Sequence, residues 1–177
     1  MTTPGAPGAG PGHPLRDPVL NPVIASEDPG APEPLALLEA HLALMRSITP
    51  PGSVHALDPD ALRGSSIAFR GLRENGVLLG VGALKRLDPA FAGEGHGEIK
   101  SMHTLAAHRG RGVARYLLEH LMDEARRAGL VRLSLETGST DAFRAPRVLY
   151  AAHGFEPCGP FGDYGPDPHS AFMTRAL

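Results

Sequence analysis

Residues 98–114 read EIKSMHTLAAHRGRGVA. The first part of this stretch, Glu98 to Leu105, predicts a β-strand. From Gly112 to Ala128 the apolar side chains recur at helical spacing, with charged side chains on the opposite face, which predicts an amphipathic helix. The stretch therefore predicts a strand, a short glycine-containing loop and the start of a helix in direct succession.

The loop residues Arg109–Gly112 stand at the predicted N-terminus of that helix. The first four amides of a helix have no partner inside it, and the helix dipole adds about half a positive charge at this end. Glycines let an anion approach the backbone closely, and the two arginines add cationic donors. The stretch is therefore predicted to hold a pyrophosphate group.

Two well-known phosphate loops do not fit these residues. A Walker loop needs lysine and then serine or threonine after its last glycine, whereas Val113 and Ala114 follow Gly112. A dinucleotide-binding fingerprint needs a third glycine where Arg115 stands. Both classes of nucleotide site are therefore disfavoured.

The pattern Arg-x-x-Gly-x-Ala, formed by Arg109, Gly112 and Ala114, resembles the coenzyme A loop of the GNAT N-acetyltransferase superfamily. The segment Leu149-Tyr150-x-x-x-Gly154-Phe155 resembles the last helix of that superfamily, and the strings GEIKSM, LSLETGS and CGPFGDY resemble a bacterial branch of it. The resemblance runs from about residue 66 to the C-terminus. It implies an α/β domain with the GNAT acyl-CoA N-acyltransferase fold. That fold has a mixed, mostly antiparallel central sheet of about six or seven strands, splayed at the cofactor strand and flanked by about four helices.

The order of elements expected from the residues agrees with one α/β domain. Residues 1–18 are rich in Pro, Gly and Ala and are expected to form a disordered tail, and residues 19–177 are expected to form the acetyltransferase domain. Asn75-Gly76 between two apolar runs predicts a β-hairpin. The other expected elements are strands at 23–25, 132–137, 155–158 and 171–174, helices at 33–47 and 146–153, a helical turn near 58–62 and a loop over 87–97.

Composition excludes several function classes. The net charge is −2, from 17 basic and 19 acidic side chains, so no global field would gather nucleic acid or an anionic membrane. No apolar run approaches the ~20 residues that cross a bilayer, and the N-terminus lacks the features of a secretory signal. The single cysteine, Cys158, allows no intrachain disulfide framework. A cytoplasmic protein is expected.

The resemblance implies how acetyl-CoA would be held. The strand bulges and splays from its neighbour at Met102-His103-Thr104, so that the pantetheine arm pairs with the freed backbone as an added strand would. Backbone amides there would hold the thioester carbonyl. The cofactor-binding residues implied in this way are Met102, His103, Thr104, Arg109, Gly110, Arg111, Gly112, Val113 and Ala114. Many members carry an asparagine ahead of the last helix, near the place where Phe143 stands here.

The resemblance also implies catalytic residues. Tyr150 is expected to be the general acid that protonates the departing thiolate. Glu98, on the cofactor strand, and Glu136, on the next strand, are the candidates for the general base, and the sequence leaves the choice between them open. His103 and His55 are weaker alternatives. No cysteine or serine sits where an acyl-enzyme would form, which favours direct attack by the acceptor amine.

The acceptor side is defined less closely by the sequence. His55 and Asp163 are candidate substrate-binding residues, since the polar stretches 53–55 and 162–169 are expected to line a pocket. Lys100 is a third candidate: two residues from Glu98 on one strand, it shares the same face and could pair with Glu98 or with a substrate carboxylate. No histidine spacing indicates zinc, so no metal is expected. The expected acceptor is a primary amine of a small molecule. A non-catalytic acyl-CoA-binding sensor, or an acetyltransferase acting on protein N-termini or lysines, is the alternative, and the sequence leaves a homodimer open.

Overall fold

The computed structural model describes residues 21–50 and 58–177. The expected tail over 1–18 and the candidate His55 lie outside the described residues. Seven strands and four helices form this part of the chain. They are β1 (Val23–Ser26), α1 (Pro32–Ile48), β2 (Ile67–Glu74), β3 (Val77–Arg86), α2 (Pro89–Ala92), β4 (His96–Thr104), α3 (Val113–Arg127), β5 (Arg132–Gly138), α4 (Arg144–Ala152), β6 (Glu156–Cys158) and β7 (Ser170–Ala176).

The strands form one mixed sheet in the order β1-β2-β3-β4-β5-β7-β6. All neighbouring strands are antiparallel except β4 and β5, which are parallel. The turn between β2 and β3 has positive φ angles at Asn75 (51°) and Gly76 (82°), as a two-residue hairpin with a type I′ turn requires. The sheet thus has the mixed and mostly antiparallel pairing, and the seven strands, expected from the sequence.

The two faces of the sheet carry separate cores. Ala83 and Leu84 are consecutive in β3, so their side chains point to opposite faces. Leu84 packs in a cluster with α3 and Tyr150 of α4, whereas Ala83 packs in a cluster with Leu37 and Leu38 of α1. The helices α3 and α4 therefore cover one face of the sheet, and α1 covers part of the other.

The helix α1 is rotated relative to its predicted orientation. The sequence spacing favours Leu35, Leu38, Leu42 and Met45 as the buried stripe, but the residues of the helix that are buried are Pro34, Leu37 and Leu38. Near its C-terminal end the helix turns His41, Leu44, Met45 and Ile48 toward a cavity. Part of the expected core stripe is therefore a wall of the candidate site.

The predicted loop over 87–97 contains the short helix α2. Asp88 accepts a hydrogen bond from the Ala90 amide at 2.9 Å, and Pro89 stands at the first helical position. A capping Asp followed by Pro is a standard helix start, so the sequence carried the signal for this turn.

Candidate active site

The site forms where β4 and β5 part. Parallel pairing runs from His96↔Arg132 to Ile99↔Leu135, after which β4 continues to Thr104 and β5 to Gly138. Since each strand extends for several residues past the last paired position, a gap opens between them.

A β-bulge turns β4 away from β5. Val81 of β3 pairs with His103 and Ala83 pairs with Lys100, so Gly82 alone lies opposite both Ser101 and Met102. Ser101 has a φ of 52°, in the left-handed region that the extra residue of a bulge occupies. A Cβ on Gly82 would lie 2.6 Å from Met102 Sδ, so a larger residue here would displace the Met102 side chain.

A cavity of about 440 Å³ occupies the gap. It is bounded by β4, β5, the C-terminal half of α1, the start of α3 and the residues leading into α4. The lining side chains include Glu98, Lys100, Met102, His103, Thr104, Arg109, Ala114, Glu136, Tyr150 and His169, together with His41, Leu44, Met45 and Ile48 of α1.

The loop before α3 has the backbone shape of an anion cradle. Gly110 and Gly112 have φ angles of 80° and 87°, and a Cβ on Gly110 would meet no atom within 4 Å. Gly112 is the N-cap of α3, and no side chain accepts a capping hydrogen bond from the first amides of the helix. The first amides of the helix are therefore available to a ligand. Arg109 lines the cavity, whereas the Val113 side chain is 1% exposed and belongs to the core.

Arg111 is engaged by the fold rather than pointing into the cavity. Its Nη2 donates to Glu74 Oε2 at 2.7 Å, and its Nη1 lies 3.1 Å from His108 Nδ1. Glu74 ends β2, so this ion pair ties the loop to the β2–β3 hairpin. We interpret Arg111 as a residue that positions the loop.

Glu98, Lys100 and Tyr164 form a closed cluster of hydrogen bonds, and Glu98 and Lys100 line the cavity. Lys100 Nζ lies 2.8 Å from Glu98 Oε1 and donates to the Tyr164 hydroxyl at 2.6 Å. That hydroxyl donates to the same Glu98 oxygen at 2.6 Å. Burial, and then the Glu98 carboxylate, raise the pKa of Tyr164 above its ordinary value. The three groups therefore satisfy one another.

Tyr150 and Glu136 approach the cavity from α4 and β5. Tyr150 is buried, and burial followed by the Glu136 carboxylate raises the pKa of its phenol above the ordinary value. The phenol therefore keeps its proton at neutral pH. Glu136 Oε1 accepts a hydrogen bond from Ser170 Oγ at 2.6 Å.

The connection between β5 and α4 fixes the position of Tyr150. Arg147 Nη1 donates to the carbonyls of Gly138 at 2.6 Å and Thr140 at 2.8 Å. The Phe143 ring packs onto Gly138, where a Cβ would come within 2.1 Å of it. Phe143 thus contributes packing, and no polar group, just before α4.

Two histidines meet at the wall formed by α1. His41 Nδ1 and His103 Nδ1 are 3.1 Å apart. Burial lowers the pKa of His41 to about 4, and burial, the proximity of His41 and the charge of Arg109 lower that of His103 to about 4. Both rings are therefore neutral at physiological pH.

Most of the site residues predicted from the sequence lie around this one cavity. Asp163 does not: it is exposed and absent from the lining, and its neighbour Tyr164 reaches Glu98 instead. The sequence placed Tyr164 only within the stretch 162–169 and gave it no role of its own, and the wall formed by α1 was not predicted from it. The wall had a readable signal, because His41, Leu44, Met45 and Ile48 follow the spacing of one helix face.

The described part of the chain was also compared with the requirements of a metal site and of a membrane-spanning helix. Within residues 21–50 and 58–177, no three His, Cys, Asp or Glu side chains are grouped so that they could hold a metal ion. No helix in these same ranges has the length and apolar character needed to span a membrane.

A sheet splayed at a parallel strand pair, with a glycine loop and helix start beside the gap, defines an acyl-CoA N-acyltransferase fold. The model of the Acetyltransferase (GNAT) family matches residues 36–155, and the chain belongs to this family. The expectation of an N-acetyltransferase is confirmed.

The similar proteins come from several bacteria. The uncharacterized N-acetyltransferase YsnE of Bacillus subtilis is 48% identical over 81% of this chain and 91% of its own. An IAA acetyltransferase of Azospirillum brasilense is 40% identical over 89% of this chain and 99% of its own. The structure of yncA from Salmonella typhimurium with acetyl-CoA has a TM-score of 0.65 at 24% identity, covering 89% of this chain and 95% of that one.

Proposed function

We propose that this protein transfers the acetyl group of acetyl-CoA to a primary amine of a small molecule, by direct attack in a ternary complex. One observation carries the proposal. The cavity between β4 and β5 brings together a protonated buried phenol, Tyr150, a carboxylate, Glu136, and the residue that opens the glycine loop, Arg109.

The residues present fit acetyl-CoA. The amides of Gly110 to Val113 and the guanidinium of Arg109 would hold its diphosphate, because the two glycines leave that backbone open. The edge of β4 beyond Ile99 that faces β5 has no partner strand in the described residues, so Met102, His103 and Thr104 can accept an extended arm. Ser101 Oγ is buried and has no hydrogen-bond partner within the described chain, which leaves a polar group beside this arm.

The chemistry assigned to the protein is proton transfer and positioning. Acetyl-CoA supplies a thioester carbonyl and a thiolate leaving group. Glu136 takes a proton from the acceptor ammonium, which makes the nitrogen lone pair available to form the N–C bond as the C–S bond breaks. Tyr150 gives its proton to the departing sulfur, and the second proton that the nitrogen must lose passes to the Tyr150 phenolate, so the products are the neutral amide and the CoA thiol. A lysine-like amine must lose its proton at a cost of about 4–5 kcal/mol at pH 7, so a base is needed for such acceptors.

Glu136 is the better of the two carboxylates for this role. Glu98 is 2% exposed and already accepts from both Lys100 and Tyr164. Glu136 is half-buried, accepts from the neutral hydroxyl of Ser170, and is close enough to Tyr150 to raise its pKa. We therefore propose that Glu98 has a structural role in the acceptor pocket and is not the base.

A small-molecule acceptor has support from one relative, whose name, IAA acetyltransferase, refers to a small molecule. The test is release of free CoA from acetyl-CoA over a panel of small amines, polyamines, amino acids and peptides, with the product identified by mass. We expect release with small amines. Release with peptides alone would favour protein acetylation, and stabilisation by CoA without release in any pool would favour a sensor.

A further inference from the structure

We infer that Glu74, the last residue of β2, is a positioning residue for acetyl-CoA. It acts through Arg111, with which it forms an ion pair, and Arg111 in turn fixes the shape of the glycine loop before α3. Neither side chain lines the cavity, so the affinity for the coenzyme is set in part from outside the site. The inference rests on the proposed function and concerns the diphosphate end of the same site.

The loop needs an anchor because its backbone has little preference for one shape. Gly110 and Gly112 both have positive φ angles, and a Cβ on Gly110 would meet no atom within 4 Å. Glycine reaches many other conformations at similar cost, and no atoms pack where a side chain of Gly110 would lie. Arg111 stands between the two glycines, so a contact that fixes its side chain also restricts them.

The Arg111 guanidinium makes such contacts on two sides. Its Nη2 lies 2.7 Å from Glu74 Oε2, and its Nη1 lies 3.1 Å from His108 Nδ1. A guanidinium only donates hydrogen bonds, so Nδ1 of His108 is the acceptor. Arg111 therefore connects the loop to the β2–β3 hairpin and to the turn Ala106–His108, which precedes the loop.

The ion pair between Arg111 and Glu74 is shielded from water. The two side chains are 17% and 15% exposed, whereas Arg126 and Asp123 of the pair on α3 are 40% and 63% exposed. Exposed pairs hold their side chains weakly, because water and salt compete for both charges. A half-buried pair is screened much less, so it fixes the geometry of the loop more firmly.

Glu74 itself lies on a braced part of the fold. It pairs with Val77 across the type I′ turn of the hairpin. The preceding residue, Arg73, donates to the Gly76 carbonyl at 2.7 Å and to Glu27 Oε1 at 2.7 Å. A group on a braced strand places its partner more precisely than a group on a loop.

A carboxylate at this place can affect diphosphate binding in two ways that differ in sign. By its charge alone, Glu74 would repel the diphosphate and keep the Arg111 cation away from it, so removing the carboxylate would strengthen binding. As an anchor, Glu74 orders the loop in advance, so removing it would add the cost of ordering the loop to each binding event and would weaken binding. The direction of the change in affinity therefore identifies the role.

The experiment is calorimetric titration of CoA into the full-length protein and its variants. We expect E74Q to bind CoA about tenfold more weakly than the wild type. The matched control is E27Q, because Glu27 is 13% exposed and lies 2.7 Å from Arg73, in a comparable pair of the same hairpin. We expect E27Q to bind CoA within about twofold of the wild type, even where its thermal midpoint falls as far as that of E74Q. Unchanged or tighter binding by E74Q, or an equal loss in E27Q, would overturn the inference.

The E74D variant separates the anchor from the charge. It keeps the carboxylate but shortens the side chain by one methylene, so the contact with Arg111 cannot keep its present geometry. We expect CoA binding to weaken in E74D as well, and binding equal to that of the wild type would overturn the inference. E74D also provides the test if E74Q does not fold.

A double-mutant cycle with R111Q tests the route from Glu74 to the loop. If Glu74 acts through Arg111, E74Q has no further effect in the R111Q background, and the two single losses of affinity do not add. Additive losses would show that Glu74 acts by another route and would overturn the inference.

Release of CoA from acetyl-CoA separates the inference from the proposed function. If E74Q binds CoA as the wild type does while the wild type acetylates an amine, only the inference fails. If E74Q weakens CoA binding but the wild type acetylates no amine of the panel, the inference holds and the proposed reaction fails.

Discussion

Lys100 Nζ lies 2.8 Å from Glu98 Oε1, and the two side chains are only 8% and 2% exposed. The Tyr164 hydroxyl completes the cluster by accepting from the lysine and donating to the carboxylate. Each buried charge is tolerated because the other is present. The pair therefore stabilises this part of the cavity lining. Removing one partner should destabilise the fold more than removing both.

We expect Glu98→Gln to lower the free energy of unfolding by about 3–5 kcal/mol, because it leaves the Lys100 ammonium buried without a counter-charge. Adding Lys100→Met in the same chain should recover most of that loss. Urea unfolding of the single and double variants measures both effects. If Glu98→Gln keeps full stability but abolishes turnover, Glu98 is the base and our assignment of Glu136 is wrong.

For Glu136→Gln we expect the opposite pattern. Stability should change little, since the side chain is half-buried and glutamine can still accept from Ser170. Turnover at pH 7 should fall by roughly 10²-fold, because the acceptor ammonium loses the group that takes its proton.

The pH profile of Glu136→Gln distinguishes loss of a base from general damage to the site. As the pH rises toward the pKa of the acceptor amine, more of it is already deprotonated, so the defect should shrink. A defect of the same size at pH 7 and at pH 9.5 would point to a positional role instead.

Tyr150→Phe removes the proposed acid and keeps the ring that packs against Phe155. We expect turnover to fall by roughly 10²-fold, with acetyl-CoA affinity nearly unchanged. Steady-state kinetics and a direct binding measurement with acetyl-CoA check the two parts. The matched control is Tyr116→Phe, since Tyr116 lies on α3 outside the cavity lining. Equal turnover in the Tyr150 and Tyr116 variants would show that Tyr150 is not the general acid.

Much of the fold could be predicted because its signals are local. Asn75-Gly76 fixes a hairpin through backbone torsions that few other residues adopt. The apolar stripe that starts at Val113 fixes α3, in which Leu117, Leu118 and Leu121 are fully buried. The loop of Arg109–Gly112 could likewise be located, since an anion cradle is built from consecutive residues.

The acceptor side could not be predicted in the same way because it is assembled from distant segments. Tyr164 is 66 residues from Glu98 in sequence, and no local pattern indicates that its hydroxyl completes a buried ion pair. Which face of α1 packs on the sheet depends on the side chains of β3. The apolar spacing of α1 does not show this, and it therefore predicted that Leu42 and Met45 lie in the core. The choice between Glu98 and Glu136 depends on burial, which the sequence does not show.

The two glycines that flank α3 provide a controlled test of the anion cradle. Gly112 and Gly129 both have positive φ angles, of 87° and 73°, one before the helix and one after it. An aspartate at either place is strained in the same way, but only Gly112→Asp puts a negative charge against the proposed diphosphate. We expect Gly112→Asp to abolish acetyl-CoA binding and Gly129→Asp to lower stability alone.

Calorimetric titration with acetyl-CoA, together with the thermal midpoint of each variant, measures this difference. If both variants bind acetyl-CoA normally, the loop does not hold the diphosphate. If both lose binding in proportion to their lost stability, strain rather than charge is responsible.

The histidine pair at the α1 wall predicts a pH dependence of stability. His41 and His103 have folded-state pKa values lowered to about 4, chiefly by burial, whereas a histidine in the unfolded chain titrates near ~6.5. Between these values the unfolded chain binds more protons than the folded one, so the free energy of unfolding falls as the pH falls. The stability that depends on the two neutral rings is fully present above pH ~6.5 and is lost as the pH drops to about 4.

The double variant His41→Gln/His103→Gln tests this dependence. Between pH ~6.5 and about 4 we expect its free energy of unfolding to fall less steeply with pH than that of the wild type, measured by urea unfolding at closely spaced pH values. Parallel slopes in the two proteins would show that the pair is protonated in the folded state and that the α1 wall carries charge at mildly acidic pH.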